Sequence, residues 1–99
     1  MKQRLTVLGS TGSIGTNTLD VVRRHRENYE IYALSAATQV DLMLAQCAEF
    51  QPQFAVMASE LHAKQLDERL KANSLTTQVL YAQDALEKIA SDEQVDAVM

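Results

Sequence analysis

The chain is sparing with the residues that bridge, kink or loosen a fold. Its 99 residues include one cysteine, one proline, three glycines and no tryptophan. A single cysteine, Cys47, excludes an internal disulfide and fits a reducing compartment. Basic charge is in deficit too: nine Lys and Arg against thirteen Asp and Glu give a net charge of −4. With no basic excess to meet a polyphosphate, nucleic-acid binding is not expected. No apolar run is long enough to span a bilayer, and Met1-Lys-Gln-Arg leads into an apolar run with no signal or transit segment before it. The expectation is a cytoplasmic chain that contacts no membrane. Its length allows one small domain, and a 46% hydrophobic content supplies a modest core.

Scarce glycine is informative through where it is spent. All three glycines fall in Leu5-Thr-Val-Leu-Gly9-Ser-Thr-Gly12-Ser-Ile-Gly15, where an apolar run opens into an amphipathic segment. This reads as strand, tight turn and helix. Glycine tolerates positive φ and lets a backbone or ligand come close. The first N–H groups of a helix lack intrahelical partners and sit at the positive end of its dipole, so a pyrophosphate can dock on backbone from Thr11 to Ile14. The spacing Gly-x-x-Gly-x-x-Gly differs from the dinucleotide fingerprint Gly-x-Gly-x-x-Gly, although its setting between strand and helix is the one that fingerprint requires. A turn that merely packs closely is the alternative. A P-loop is disfavoured, because no Gly-Lys-Ser/Thr follows.

The rest of the chain alternates. Ile14, Thr18, Val21, Val22 and His25 share a helical face and are expected to point inward, in a helix ending near Arg26 to Asn28. Arg23, Arg24 and Arg26 complement the dipole at its C-terminal end. Tyr29 to Ser35 is a continuous apolar strand, the pattern of a strand covered on both faces. After it come Ser35, Ala36, Ala37, Thr38 and Gln39, all neutral, where an NAD-specific site would place an Asp or Glu for the ribose. An uncharged strand end favours NADP. Thr38 with Asp41 suggests a capping box for a helix over 40–51, with Val40, Met43, Leu44 and Cys47 inward, ended by Pro52. Phe54 to Met57 is a third strand, and Ser59 caps a helix to about Asn73 with Ala63, Leu66 and Leu70 inward. Val79 to Tyr81 is a fourth strand. A last helix spans Gln83 to Ser91, and Val95 to Met99 opens a fifth strand. This alternation predicts an α/β, doubly wound parallel sheet, Rossmann-like, truncated near the fifth strand.

Leu8-Gly-Ser-Thr-Gly-Ser-Ile-Gly15, followed by Thr18-Leu-Asp-Val-Val22, resembles the amino terminus of the 1-deoxy-D-xylulose 5-phosphate reductoisomerase family. The likeness continues through Ala33-Leu34, Gln46-Cys47, Phe50-x-Pro52-x-Phe54-Ala-Val-Met57 and Val95-Asp-x-Val98-Met99, so it covers the whole chain. It implies that residues 1–99 are an NADPH-binding domain, with catalytic and C-terminal domains beyond Met99. Such an enzyme chelates a phosphosugar through Mg or Mn, rearranges its skeleton and reduces the resulting aldehyde with NADPH to 2-C-methyl-D-erythritol 4-phosphate, for isoprenoid synthesis. Carried onto this sequence, Thr11, Gly12, Ser13 and Ile14, with Gly9 in the same turn, meet the pyrophosphate. The family's second cofactor segment, often Gly-Lys-Asn, falls on Ala37, Thr38 and Gln39, so the Lys is absent and an amide remains at Gln39. The metal-binding acids, the lid and an Asn-Lys-Glu segment fall outside the chain, which implies no catalytic or metal residue within it, and no turnover by it alone. The family is homodimeric. Two other readings of the turn stay open: the cofactor domain of a semialdehyde or extended short-chain dehydrogenase, and a non-catalytic dinucleotide-sensing module.

Overall fold

The computed structural model describes residues 2–99, so Met1 lies outside the described residues. Strand β1 (Gln3–Val7) is followed by α1 (Ser13–Arg24), β2 (Tyr29–Ser35), α2 (Val40–Phe50) and β3 (Phe54–Met57). Then come α3 (Glu60–Ala72), β4 (Gln78–Tyr81), α4 (Gln83–Ser91) and β5 (Ala97–Val98). The strands form one parallel sheet in the order β4-β3-β2-β1-β5, the doubly wound α/β arrangement expected from the alternation. The order reverses at β1: the chain first steps outward through β2, β3 and β4, and then crosses back to β1's other side. Such a reversal opens a crevice beyond the carboxyl ends of the strands, where ligands bind in open α/β sheets.

Two apolar clusters flank the sheet. Helices α1, α2 and α3 bury Leu19, Val22, Met43, Cys47, Leu66 and Leu70 against one face, while α4 packs Ala85 and Ile89 over Tyr32, Ala33 and Val56 on the other. Burial on both sides explains why β2 and β3 read as unbroken apolar runs. In β2 the alternation slips once. Leu5 pairs with Ile31 and Thr6 with Ala33, so Tyr32 is an extra residue, a bulge. Tyr32 and Ala33 therefore both face α4, and Leu34 and Ala36 return to the α1 side.

The inward stripe of α1 is Gly15, Leu19 and Val22, offset from the Ile14, Thr18, Val21, Val22 and His25 face expected from spacing. Ile14 is 84% exposed and Val21 52%. Gly15 sets the phase: a Cβ there would lie 2.3 Å from Gly9 O and 2.6 Å from Ser10 Cα, so this side of the helix must face the turn. The helix also stops at Arg24, short of the expected end, with His25 as its cap. In its last turn Arg23 forks onto Glu49 of α2 through Nε and Nη2, and Arg26, beyond the helix, joins the same carboxylate at 3.4 Å. The Thr38/Asp41 capping box does not form; Gln39 occupies the N-cap of α2 without a side-chain bond. At α3 the expected cap is present, with Ser59 Oγ accepting from His62 N.

Candidate functional site

The glycine turn is fixed from three directions. Gly9 takes φ +65°, the left-handed conformation that a side chain disfavours. From β2, Ser35 holds the turn twice: Gly9 N donates to Ser35 Oγ at 2.9 Å, and Ser10 N donates to Ser35 O at 2.7 Å. From α2, the Gln46 side chain accepts from Ser10 Oγ at 2.7 Å and donates to Ser10 O at 2.9 Å, both bonds buried. Beneath the turn, Gly15 lets the α1 backbone approach. Two of the three glycines thus answer needs of the chain itself, Gly9 through its positive φ and Gly15 through close packing.

Gly12 does not. It is the N-cap of α1 with φ −81°, a conformation open to any residue, and a Cβ there would make only ordinary contact, 3.5 Å from Gly9 O. Side chains that normally close a helix start are lacking: α1 has no side-chain cap bond and no acid in its first turn. Asp20, further along, pairs with Arg23 at 3.1 Å and Arg24 at 3.0 Å. Thr11 is half-buried, and Gly12, Ser13 and Ile14 are exposed, at the positive end of the α1 dipole; within the expected cradle Gly12 N is already committed, donating to Gly9 O at 3.0 Å.

Beside the turn, at the carboxyl ends of β1 to β4, lies a cleft of about 300 Å³. Gly9, Ser35, Ala37, Ala58 and Ala82 are among its walls, and Val56, Met57 and Leu86 give it an apolar floor. None of the lining residues is ionisable, so the cleft suits a flat, uncharged group. Ala58 N donates to Ala37 O at 3.2 Å, joining the loops after β2 and β3. Of the residues carried over from the sequence, Gly9 and Ala37 line this cleft. Thr11 to Ile14 sit at the adjoining helix start, and Thr38 and Gln39 are exposed and are not part of the lining.

The titratable groups that the fold perturbs serve other purposes. Burial pushes the Cys47 thiol up to about 12, so it stays a neutral thiol on the apolar side of α2. Burial, and the bond it gives to Asp92 at 2.8 Å, raise the Tyr32 phenol above its ordinary value. Asp92 is held low, chiefly by Gln94 N and then by that phenol. This pair lies by the C-terminal end of α4, away from the cleft. Among the described residues no three His, Cys, Asp or Glu side chains are grouped so as to hold a metal.

Gln46, Ala58 and Ala82 are site-building residues that the sequence did not disclose. Ser35 lay in plain view as the neutral end of β2. Gln46, 36 residues from its partner, carried no local sign of its role. Ala82 takes φ +75°, which alanine does not advertise.

The sequence model of 1-deoxy-D-xylulose 5-phosphate reductoisomerase matches residues 5–99. Reductoisomerases of that name from Cupriavidus metallidurans and Dechloromonas aromatica are 53% and 50% identical to this chain over 97 residues, or 98% of it. The chain spans 25% and 24% of their respective lengths. A crystal structure of DOX-P reductoisomerase in complex with NADPH, fosmidomycin and magnesium superposes with a TM-score of 0.92 at 40% identity, over 97% of this chain and 23% of that one. The Zymomonas mobilis enzyme in complex with NADPH gives 0.85 at 30% identity, over 93% of this chain and 24% of its own. Glycine turn, sheet order and likeness over nearly every residue converge: the chain belongs to the 1-deoxy-D-xylulose 5-phosphate reductoisomerase family.

Proposed function

We propose that residues 1–99 are the NADPH-binding domain of a cytoplasmic, homodimeric, metal-dependent reductoisomerase that converts 1-deoxy-D-xylulose 5-phosphate to 2-C-methyl-D-erythritol 4-phosphate. The observation that carries this reading is Gly12: a glycine that the chain's packing does not need, at the uncapped start of a helix. A pyrophosphate on the N–H groups of Thr11, Ser13 and Ile14, with Gly12 N already donating to Gly9 O at 3.0 Å, would occupy the space that a side chain at 12 would fill. Gly9 shapes the turn beneath it. The alanine-lined cleft takes the adenine, and Ala37, Thr38 and Gln39 border the ribose, with the Thr38 hydroxyl and Gln39 amide as uncharged partners for the 2′-phosphate.

When bound, NADPH supplies the hydride, and a divalent cation, Mg or Mn, polarises the phosphosugar. The groups that hold the cation and the sugar belong to the remaining three quarters of such an enzyme. The contribution of this chain is to fix the dinucleotide. By itself it is expected to show no turnover. Calorimetric titration with NADPH and with NADH, for wild type and Gly12→Val, tests the assignment. Binding that prefers NADPH and disappears in the variant is the expected result; equal binding by both proteins would remove the pyrophosphate from this turn.

A further inference from the structure

We propose that Gln46 is a positioning residue for the dinucleotide, setting the direction of one backbone N–H in the turn. This rests on the turn being the pyrophosphate cradle. Gln46 is buried in α2, yet its amide makes no contact with the cleft; both its bonds go to Ser10. One holds the hydroxyl and the other holds the carbonyl of the Ser10–Thr11 peptide. A trans peptide is planar with C=O and N–H pointing opposite ways, so anchoring Ser10 O toward α2 aims Thr11 N–H away from α2. Ser10 N is already committed to Ser35 O. The peptide that follows Ser10 is the part of the turn with a rotational choice left, and the Gln46 amide makes that choice.

The geometry demands both halves of an amide. The carbonyl oxygen accepts the hydroxyl proton, and the NH2 donates to the main chain. An ionised carboxylate at 46 could accept but not donate, and would face Ser10 O with like partial charge. A protonated carboxyl could do both. Burial raises the pKa of such a carboxyl, bringing its titration within reach of mild acid.

The test is titration of the protein with NADP+, which survives acid better than NADPH, at pH 8 and pH 5. Wild type, Gln46→Glu and the near-isosteric Gln46→Met are compared, with circular dichroism to verify folding. Gln46→Glu is expected to bind about tenfold more weakly than wild type at pH 8 and within about twofold of it at pH 5. Gln46→Met should be about tenfold weaker at both pH values, having no proton to regain. A merely structural glutamine would lose affinity only in step with thermal stability, whereas a positioning glutamine loses affinity in Gln46→Met and in Gln46→Glu at pH 8 while the melting temperature stays close to that of wild type. If both variants bind like wild type at both pH values, the proposal is overturned while the cofactor reading stands. If Gln46→Glu is unfolded at pH 8, wild-type affinity in Gln46→Met overturns it equally. If wild type binds no dinucleotide, the cofactor reading falls and takes this one with it.

Discussion

Helices α1 and α3 begin in opposite ways. At α3, Ser59 Oγ accepts from His62 N and Glu60 stands in the first turn, so orphan N–H and dipole are both answered from within the chain. At α1 the cap is glycine, with no side-chain bond and no acid in the first turn. Both helices follow a strand of the same sheet, and both need partners for their first N–H groups. Helices α2 and α4 also lack a side-chain cap bond but carry Asp41 and Asp84 in their first turns, so of the four described helices α1 alone has neither device. Capping adds stability, and under the proposed function the open start of α1 gives up that stability for ligand binding.

Substitutions can break or sharpen this contrast. The largest effect is expected from Gly15→Ala, which removes the seat of α1: with Gly9 O only 2.3 Å from the new Cβ, turn and helix must separate. A loss of about 3 kcal/mol or more in urea unfolding, together with loss of NADPH binding, is expected. Gly12→Asp makes α1 resemble α3. Stability should hold or rise by a few tenths of a kcal/mol, while NADPH affinity drops about a hundredfold or more as carboxylate and pyrophosphate compete for the same N–H groups. If calorimetry showed undiminished affinity, the open start would have no link to the ligand. Conversely, Ser59→Ala makes α3 resemble α1; thermal unfolding should report a loss of about 1 kcal/mol, with NADPH affinity unchanged.

The smallest effect lies at the far end of α1. Glu49 is held below its ordinary value of 4.5, first by the hydrogen bond from Arg23. A carboxylate that is more acidic folded than unfolded contributes stability above the unfolded pKa and loses it as pH falls through the folded one. Glu49→Gln should therefore narrow the stability gap between pH 6 and pH 3, slightly because the pair is solvent-screened, and leave the curve above pH 6 parallel to wild type.

Legibility in the sequence followed the range of the interaction. β2 and β3 were readable to the residue because burial on both faces leaves continuous apolar runs between polar neighbours. Ser59 was readable as a cap because capping spans three residues. The phase of α1 was not, since a close backbone approach at Gly15 outranks the apolar count that favoured Ile14 and Val21. Thr38 and Asp41 had the spacing of a box, but helix α2 starts one residue too late to use it. Within the site, the glycine turn announced itself. Its supports did not: Ser35 and Gln46 reach it from β2 and α2, and only the tertiary fold brings them there.

The bulge in β2 bears on how such chains can change over evolutionary time. Because Tyr32 is the extra residue opposite β1, removing it would restore plain alternation from Ile31 to Ala33 and leave Leu34, Ser35 and Ala36 facing as they do now. Removal of Leu34 would instead turn Ser35 away from the turn it holds, because side chains alternate strictly beyond the bulge. The strand thus carries an expansion joint at its middle and a fixed measure beyond it. One deletion can be absorbed at the bulge, whereas the residues from Leu34 to the cleft must keep their count.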